Sequence, residues 1–447
     1  LIVIRNASFD GRVSDILIEN GLIVAIDNHI DNSYGAEEFD AEGLVTWPGM
    51  VNTHHHLAQS ILKGMPAGIN ADLNSWLSAV PFAAWPYYDP DTLYVAALLG
   101  LAELMRSGCT TCADHHYFYQ ANQSQEMEAA LLQAADEVGI RFVLCRGGAT
   151  SAGSHLGLNN SSIRVEGLNT MLDRLQLTLD SWHDPSPNSM RRLVVAPTSL
   201  IHSSEPEHLR VLGEFARANH LKRHSHLLEV RRDEQIAQEK YGKSAVAFAE
   251  EIGWLGEDTW YAHVIHTDNE MRERLAESST GIAHCPTSNC RLGSGIAHVP
   301  DMADLGIPIS IGVDGAASAE SGSMTNEAMQ TWLLHRVLGN PSSTTLAQVQ
   351  GWCTAGGADL LGLNTGRISV GACADLVFFD VSAPRYAGVW MLEYAPILCG
   401  EPVKVSRSMI NGRWRLIDGE LIGIDERKIS TDARKRVGLL QKKMSEE

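Results

Sequence analysis

Short apolar runs broken by turn residues open the chain, at residues 1–4, 15–18 and 22–26. Asn20-Gly21 separates the last two and is the dipeptide that best tolerates the positive φ angles of a tight hairpin. The same texture returns near the other end. Residues 374–380 (ADLVFFD) and 403–410 (VKVSRSMI) read as strands, followed by Asn411-Gly412 and a strand over 413–417. Two clusters of short strands at opposite ends of the chain predict one small β-sandwich domain built from both termini.

The middle alternates differently. Helix-length amphipathic segments separate short apolar runs rich in Val, Ile and Thr. Eight such runs fall at 45–53, 109–113, 141–145, 193–196, 222–226, 259–262, 281–283 and 308–313. Eight βα units over about 300 residues match the arithmetic of an α/β (β/α)8 TIM barrel. A doubly wound sheet is the rival, but no glycine-rich phosphate turn follows the first strand. The expected organisation is sandwich over 1–46, barrel over 47–365, and sandwich again over 366–447. That last part includes a charged amphipathic helix at 425–444, whose mixed charges suit a solvated face. No low-complexity tract or sequence repeat interrupts this plan.

Composition narrows the partners. The 447 residues carry 35 basic and 54 acidic side chains, a net charge of −19. That balance argues against nucleic acid or an anionic membrane surface. No apolar run is long enough to span a bilayer, and the opening residues do not read as a signal peptide. Cys109 and Cys112 form a lone C-x-x-C with no second pair to complete a four-thiolate site. All eight cysteines are therefore expected to be reduced, buried thiols of a cytoplasmic protein.

Polar residues at the strand ends carry the candidate chemistry. His54 and His56 close the first run, and residues two apart on a strand face the same side. His226 ends the fifth run, His263 follows the sixth and Asp314 the eighth. A single histidine at such a place is more often a hydrogen-bonded structural residue, and an Asp before Gly is usually a turn. Here all of them converge on the rim where a barrel presents its active site. Three imidazoles and a carboxylate suit one divalent ion, zinc or ferrous iron, with room for a bound water. His55 is expected to pack or support, and His224 to back the site. Glu229 lies three residues after His226, within reach of a proton on a bound water or leaving group. Its competing reading is an acid in the first turn of the next helix.

These motifs resemble the amidohydrolase superfamily, in the branch of guanine, cytosine and 8-oxoguanine deaminases. The matching segments are 48–56 (PGMVNTHHH), 226–229 (HLLE), 262–263 (AH), 283–289 (AHCPTSN), 312–318 (GVDGAAS) and 371–376 (GACADL). The resemblance implies that His54, His56, His226 and Asp314 hold one divalent metal. It also implies that Asp314 takes the proton of the attacking water, Glu229 protonates a ring nitrogen and His263 orients the nucleophile. The fourth run ends 195–199 (VAPTS), without the lysine of two-metal members. Gln59 occupies the place of a glutamine that reads the substrate's amide edge in relatives. Trp76, on the first loop, could stack on a planar ring or simply be a core aromatic. Arg146, closing the third run, could donate a fork of hydrogen bonds to a heterocycle or form a structural ion pair.

The segments 62–68 (LKGMPAG), 146–150 (RGGAT) and 241–244 (YGKS) look most like the isoxanthopterin deaminases. The resemblance therefore implies removal of the exocyclic 2-amino group of isoxanthopterin or a related pterin. The alternatives are 8-oxoguanine or guanine and, further off, a triazine chloro- or aminohydrolase. Relatives that dechlorinate often lack the full Glu and His pair, kept here as Glu229 and His263. A noncatalytic scaffold of the same fold would have lost metal ligands. A homo-oligomer acting on a small heterocycle is expected.

Overall fold

The computed structural model describes residues 1–32, 35–119, 124–151 and 163–446. At the amino end, β1 (Ile2–Phe9), β2 (Arg12–Glu19) and β3 (Leu22–Asp27) form an antiparallel meander. Strand β4 (Glu37–Asp40) adds to β1 in parallel. Strand β5 (Leu44–Pro48) leaves that sheet and joins another made mostly from the far end of the chain.

The barrel follows as β6 (Met50–His55), β7 (Cys109–His116), β8 (Arg141–Arg146) and β9 (Arg191–Val195). It continues as β10 (Lys222–Leu227), β11 (Thr259–His263), β12 (Gly281–His284) and β13 (Ile309–Ile311). The eight strands pair in chain order in one sheet. The sheet closes between β13 and β6 with some help from side chains. Asp314 N–H donates to His54 O at 3.0 Å, and Val313 N–H to Asn52 Oδ1 at 3.0 Å. Inside, Val51, Ala113, Val143, Val194, Trp260 and Ala283 form an apolar layer closed by Leu360 and Leu361 of helix Ala355–Leu361.

The chain returns to the sandwich through β14 (Leu376–Asp380), β15 (Val405–Ile410), β16 (Arg413–Ile417) and β17 (Glu420–Leu421). The second sheet runs β17-β16-β15-β14-β5. Ile4, Phe9, Ile16 and Ile23 of the first sheet share a core with Leu376, Phe378 and Met409 of the second. This is the expected sandwich from both termini. Its two hairpin turns abut. Asn20 and Gly21 have φ of 51° and 83°, and Asn411 and Gly412 of 51° and 70°. A Cβ on Gly21 would come within 2.6 Å of Asn411 Oδ1, so glycine is required there for space as well as conformation.

The first apolar run divides at Gly49. Its first half is sandwich strand β5 and its second half barrel strand β6. A Cβ at Gly49 would sit 2.0 Å from Thr110 Oγ1. The C-terminal helix Glu426–Ser445 buries Ile429, Ala433 and Leu440 and packs on helix Pro90–Arg106. Arg106 pairs with Glu426 across that contact at 2.6 Å. Among the described residues no helix is long and apolar enough to cross a membrane. All eight cysteines are free. Six are buried as expected, but Cys290 is exposed and Cys399 half-buried, because short helices at the surface carry them.

Barrel and sandwich are pinned together by one fully buried ion pair. Arg141, opening β8, donates from Nε and Nη2 to Asp375 at 2.9 and 3.0 Å. Its Nη1 donates to Asn188 O at 2.7 Å. Asp375 also accepts from Thr365 Oγ1 at 2.7 Å and Asn411 N at 2.6 Å. All four carboxylate lone pairs and four of the five guanidinium protons are engaged, the kind of satisfaction under which a buried pair is tolerated. Asp375→Ala should cost about 3–5 kcal/mol in urea unfolding, since it strands a buried guanidinium. Arg141→Met with Asp375→Leu should cost clearly less. Equal losses in the two variants would show that packing, not charge, holds this junction.

Candidate metal and catalytic site

The barrel strands end in polar residues that point into one cavity. Its walls include His56, His226, His263, Asp314, Glu229, Gln59 and Trp76. His54 lies beneath, fully buried on β6. Backbone geometry at this rim departs from the ordinary. Leu228, His263, Val264 and Asp314 all take positive φ, between 47° and 73°. Non-glycine residues adopt that region at a cost, and such strain collects where side chains must be aimed.

Hydrogen bonds set the tautomer of each imidazole. His56 Nδ1 faces His115 O at 2.7 Å, and His226 Nδ1 faces Thr198 O at 2.6 Å. A carbonyl only accepts, so both Nδ1 atoms carry protons. His224 Nδ1 likewise donates to Trp260 O at 2.9 Å. Burial, and then the nearby His54, hold the His224 imidazole well below its usual pKa, so it is neutral. Its Nε2 must therefore accept, and His54 Nδ1 donates to it at 2.8 Å. His54 is itself pushed down to about 3, first by burial. His226 also lies well below the ordinary histidine range through burial and its imidazole neighbours.

The consequence is a cluster of ring nitrogens aimed at one point. As neutral rings protonated on Nδ1, His54, His56 and His226 would each present an Nε2 lone pair. His56 Nε2 and His226 Nε2 are 3.2 Å apart. Asp314 Oδ1 lies 3.2 Å from His56 Nε2 and 3.4 Å from His54 Nε2. The other oxygen, Oδ2, accepts from Ser288 Oγ at 2.5 Å and Ser318 Oγ at 3.2 Å. Electron pairs packed so closely repel unless a cation lies among them. Nitrogen and oxygen donors of this kind, with second partners fixing each ring, fit a divalent transition metal. Ligand atoms of His54, His226, His263 and Asp314 all lie within 4.8 Å of one another. The same is true of His56, His115 and His226.

Glu229 stands beside this cluster, 3.6 Å from His263 Nε2. Its carboxyl is held well above the usual carboxylate range, mainly by burial and then by the charges of Asp314 and Asp233. It therefore keeps a proton to higher pH than an ordinary carboxyl does. His263 Nδ1 faces Asn289 Oδ1 at 2.9 Å, which orients the ring.

The residues expected to contact substrate separate. Gln59 lines the cavity and donates from Nε2 to Tyr117 Oη at 3.0 Å, while its Oε1 has no partner among the described residues. Trp76 lines it too, with its buried Nε1 also unpartnered. Arg146 is elsewhere. Its guanidinium is fully buried, paired in a fork with Glu166 at 2.8 and 2.9 Å and stacked on Tyr119 at 4.0 Å. The ion-pair alternative describes it, because Glu166 supplies both acceptors of the fork. Among the wall residues not anticipated are Tyr117, His202 and Asp233. Tyr117 follows directly on the histidine pair that ends β7, a signal available in the sequence. His202 and Asp233 come from loop and helix positions that carry no strand-end signal.

Comparison with known proteins agrees with this geometry. The amidohydrolase family profile matches residues 45–415. Isoxanthopterin deaminase from an unknown prokaryotic organism is 40% identical over 89% of this chain and 86% of its own. 8-Oxoguanine deaminase from Pseudomonas aeruginosa is 35% identical over 87% and 86%. A crystal structure of an amidohydrolase from an environmental Sargasso Sea sample superposes with a TM-score of 0.86 at 36% identity, covering 99% of each chain. An atrazine chlorohydrolase from Arthrobacter aurescens TC1, complexed with zinc, gives a TM-score of 0.92 at 25% identity, covering 98% of this chain and 100% of its own. By its barrel, by its converging strand-end ligands and by a family match across most of its length, the chain belongs to the amidohydrolase family.

Proposed function

We propose that this chain is a metal-dependent aminohydrolase that replaces the exocyclic 2-amino group of an oxidised bicyclic heterocycle with a carbonyl, releasing ammonia. The observation that carries the reading is the pairing of two unlike carboxyls on one rim. Burial and the charges of Asp314 and Asp233 favour the protonated form of Glu229, while Asp314 Oδ1 faces His56 Nε2 at 3.2 Å. A deamination needs both: a base for the attacking water and an acid for the ring nitrogen and leaving amine.

His54, His56, His226 and Asp314 would hold the ion, zinc in the first instance and iron as the alternative. When bound, a divalent ion lowers the pKa of water so that hydroxide is available near neutral pH. Asp314 accepts the proton released as water oxygen bonds to the amidine carbon. Glu229 gives its proton to the adjacent ring nitrogen, which takes up the electron pair of the C=N bond. His263 hydrogen-bonds the attacking oxygen and keeps it aligned. Glu229, emptied by that transfer, takes the remaining hydroxyl proton, the proton held by Asp314 passes to the amine, the C–N bond breaks to release ammonia, and the carbon keeps the oxygen as a carbonyl. Gln59 Oε1 and Trp76 Nε1 offer an acceptor and a donor to the ring edges. Arg146 is left with a structural role.

The relative of 40% identity makes isoxanthopterin, or a related pterin, the first substrate to test. The 35% relative makes 8-oxoguanine the second reading. Ammonia release should be measured against isoxanthopterin, pterin, 8-oxoguanine, guanine and cytosine. Turnover confined to purines would overturn the pterin choice. Glu229→Gln should lower kcat by about 10²–10⁴-fold while metal content stays unchanged; a variant with wild-type kcat would remove Glu229 from proton transfer. His224→Ala should weaken metal affinity about 10–100-fold in competition with a chelator, because it releases the His54 ring. Unchanged affinity would refute the tautomer argument.

A further inference from the structure

The cavity is small for the ligand the reaction needs. Its volume is about 60 Å³, room for a few water molecules. Pockets that take small organic ligands run to roughly 300–1,000 Å³. Part of the wall must therefore move before a bicyclic ring reaches the imidazoles. Two kinds of element build that wall. His56, His226, His263 and Asp314 stand at the ends of barrel strands and are held by the sheet. Leu73, Trp76 and Leu77 come from helix Leu73–Ala79, in the long connection after β6.

The approach to that helix, residues 62–72, spends several of its backbone bonds on itself. Gly68 N–H donates to Met65 O at 2.9 Å, and Ala71 N–H to Gly68 O at 3.3 Å. Outward, Lys63 pairs with Glu103 at 2.5 Å. Gly64 N–H donates to Glu320 Oε2 at 2.8 Å, and Gly68 O accepts from Arg291 Nη2 at 3.1 Å. Arg291 closes helix Pro286–Arg291, and Glu320 follows helix Ala316–Ala319 with a φ of 58°. The two side chains also bond each other, with Arg291 Nε and Nη2 both 3.2 Å from Glu320 Oε1. A Cβ on Gly68 would lie 2.9 Å from Trp76 Cδ1, so the backbone that Arg291 grips lies against the indole.

These ties are weak ones. The Arg291 and Glu320 side chains are 14% and 36% exposed, and ion pairs of that kind contribute little each and fade with salt. Arg291 Nη1 is buried without a partner among the described residues, a further cost of the closed arrangement. We propose that residues 62–80 form a lid over the site, and that Arg291 and Glu320 are the latch that holds it shut and releases it to admit substrate. This inference rests on the reading above only in requiring that an organic ring reach the strand-end imidazoles. A latch has a kinetic signature. Weakening it raises the population of the open form, so entry and exit quicken together, and affinity hardly changes while the closed form still predominates.

Hydrogen exchange read by mass spectrometry on the full chain tests the lid without any substrate. In Arg291→Met and in Glu320→Gln, amides of residues 62–80 should exchange about three- to tenfold faster than in wild type, with the barrel strands unchanged. Arg291→Lys, which keeps the charge but not the fork, should fall between. About 0.5 M sodium chloride should speed wild type in the same segment and leave Arg291→Met almost unmoved. Stopped-flow binding of whichever heterocycle is turned over, in a Glu229→Gln background that slows chemistry, tests the gate. Either latch substitution should raise the association and dissociation rate constants together, by about three- to tenfold, and move Kd by less than about twofold. Exchange at 62–80 that is unchanged in both variants, or that rises equally throughout the barrel, overturns the lid. A dissociation rate that rises alone, with Kd weakened in proportion, overturns the latch and makes Arg291 a support of the binding surface. If no compound of the panel turns over, the deaminase reading falls, and the exchange comparison still decides the lid.

Discussion

The structure is organised around an electrostatic conflict. Three imidazole Nε2 atoms and a carboxylate oxygen crowd one point, with His56 Nε2 3.2 Å from His226 Nε2, and Asp314 Oδ1 3.2 Å from His56 Nε2 and 3.4 Å from His54 Nε2. Each ring is held from behind, by a carbonyl or by a neighbouring imidazole. Where those atoms carry lone pairs, positive charge at the centre would relieve their repulsion. Barrel closure contributes directly, because the Asp314 N–H bonds to His54 O and so ties the two ends of the sheet at the ligands themselves.

Around that centre, environment separates chemically similar groups. Glu229 and Asp314 are both buried carboxyls in one cavity. Asp314 receives two serine hydroxyls and faces imidazoles, whereas Glu229 meets apolar burial and two like charges. The first is suited to accept protons and the second to supply them. The left-handed backbone at Leu228, His263 and Asp314 shows that aiming these groups takes conformational strain, which the rigid strands beneath can sustain.

Much of this was legible in the sequence because it follows period and position. A barrel strand is a short apolar run, and a polar residue that closes or follows it falls at the strand end, so the places of His54, His226, His263 and Asp314 on one rim could be read. The boundary read at 46/47 fell inside the first run, but its division at Gly49 shows only in the pairing of the first half with β14 and of the second with β7. Arg146 shows the opposite limit. Its partner Glu166 lies 20 residues on in the chain, and nothing in local pattern says that the fork closes there instead of on a ligand. His202 and Asp233 meet across 31 residues through loop geometry, which no periodicity encodes.

The sandwich has a consequence for biosynthesis. Its first sheet is made before the barrel, with Ile4, Phe9, Ile16 and Ile23 along one face. The residues that cover that face, Leu376, Phe378 and Met409, arrive only after the entire barrel has been made. For most of translation the nascent chain therefore carries an uncovered apolar sheet, the kind of surface that invites misassembly. Late docking of the two sheets is built into the order of the strands.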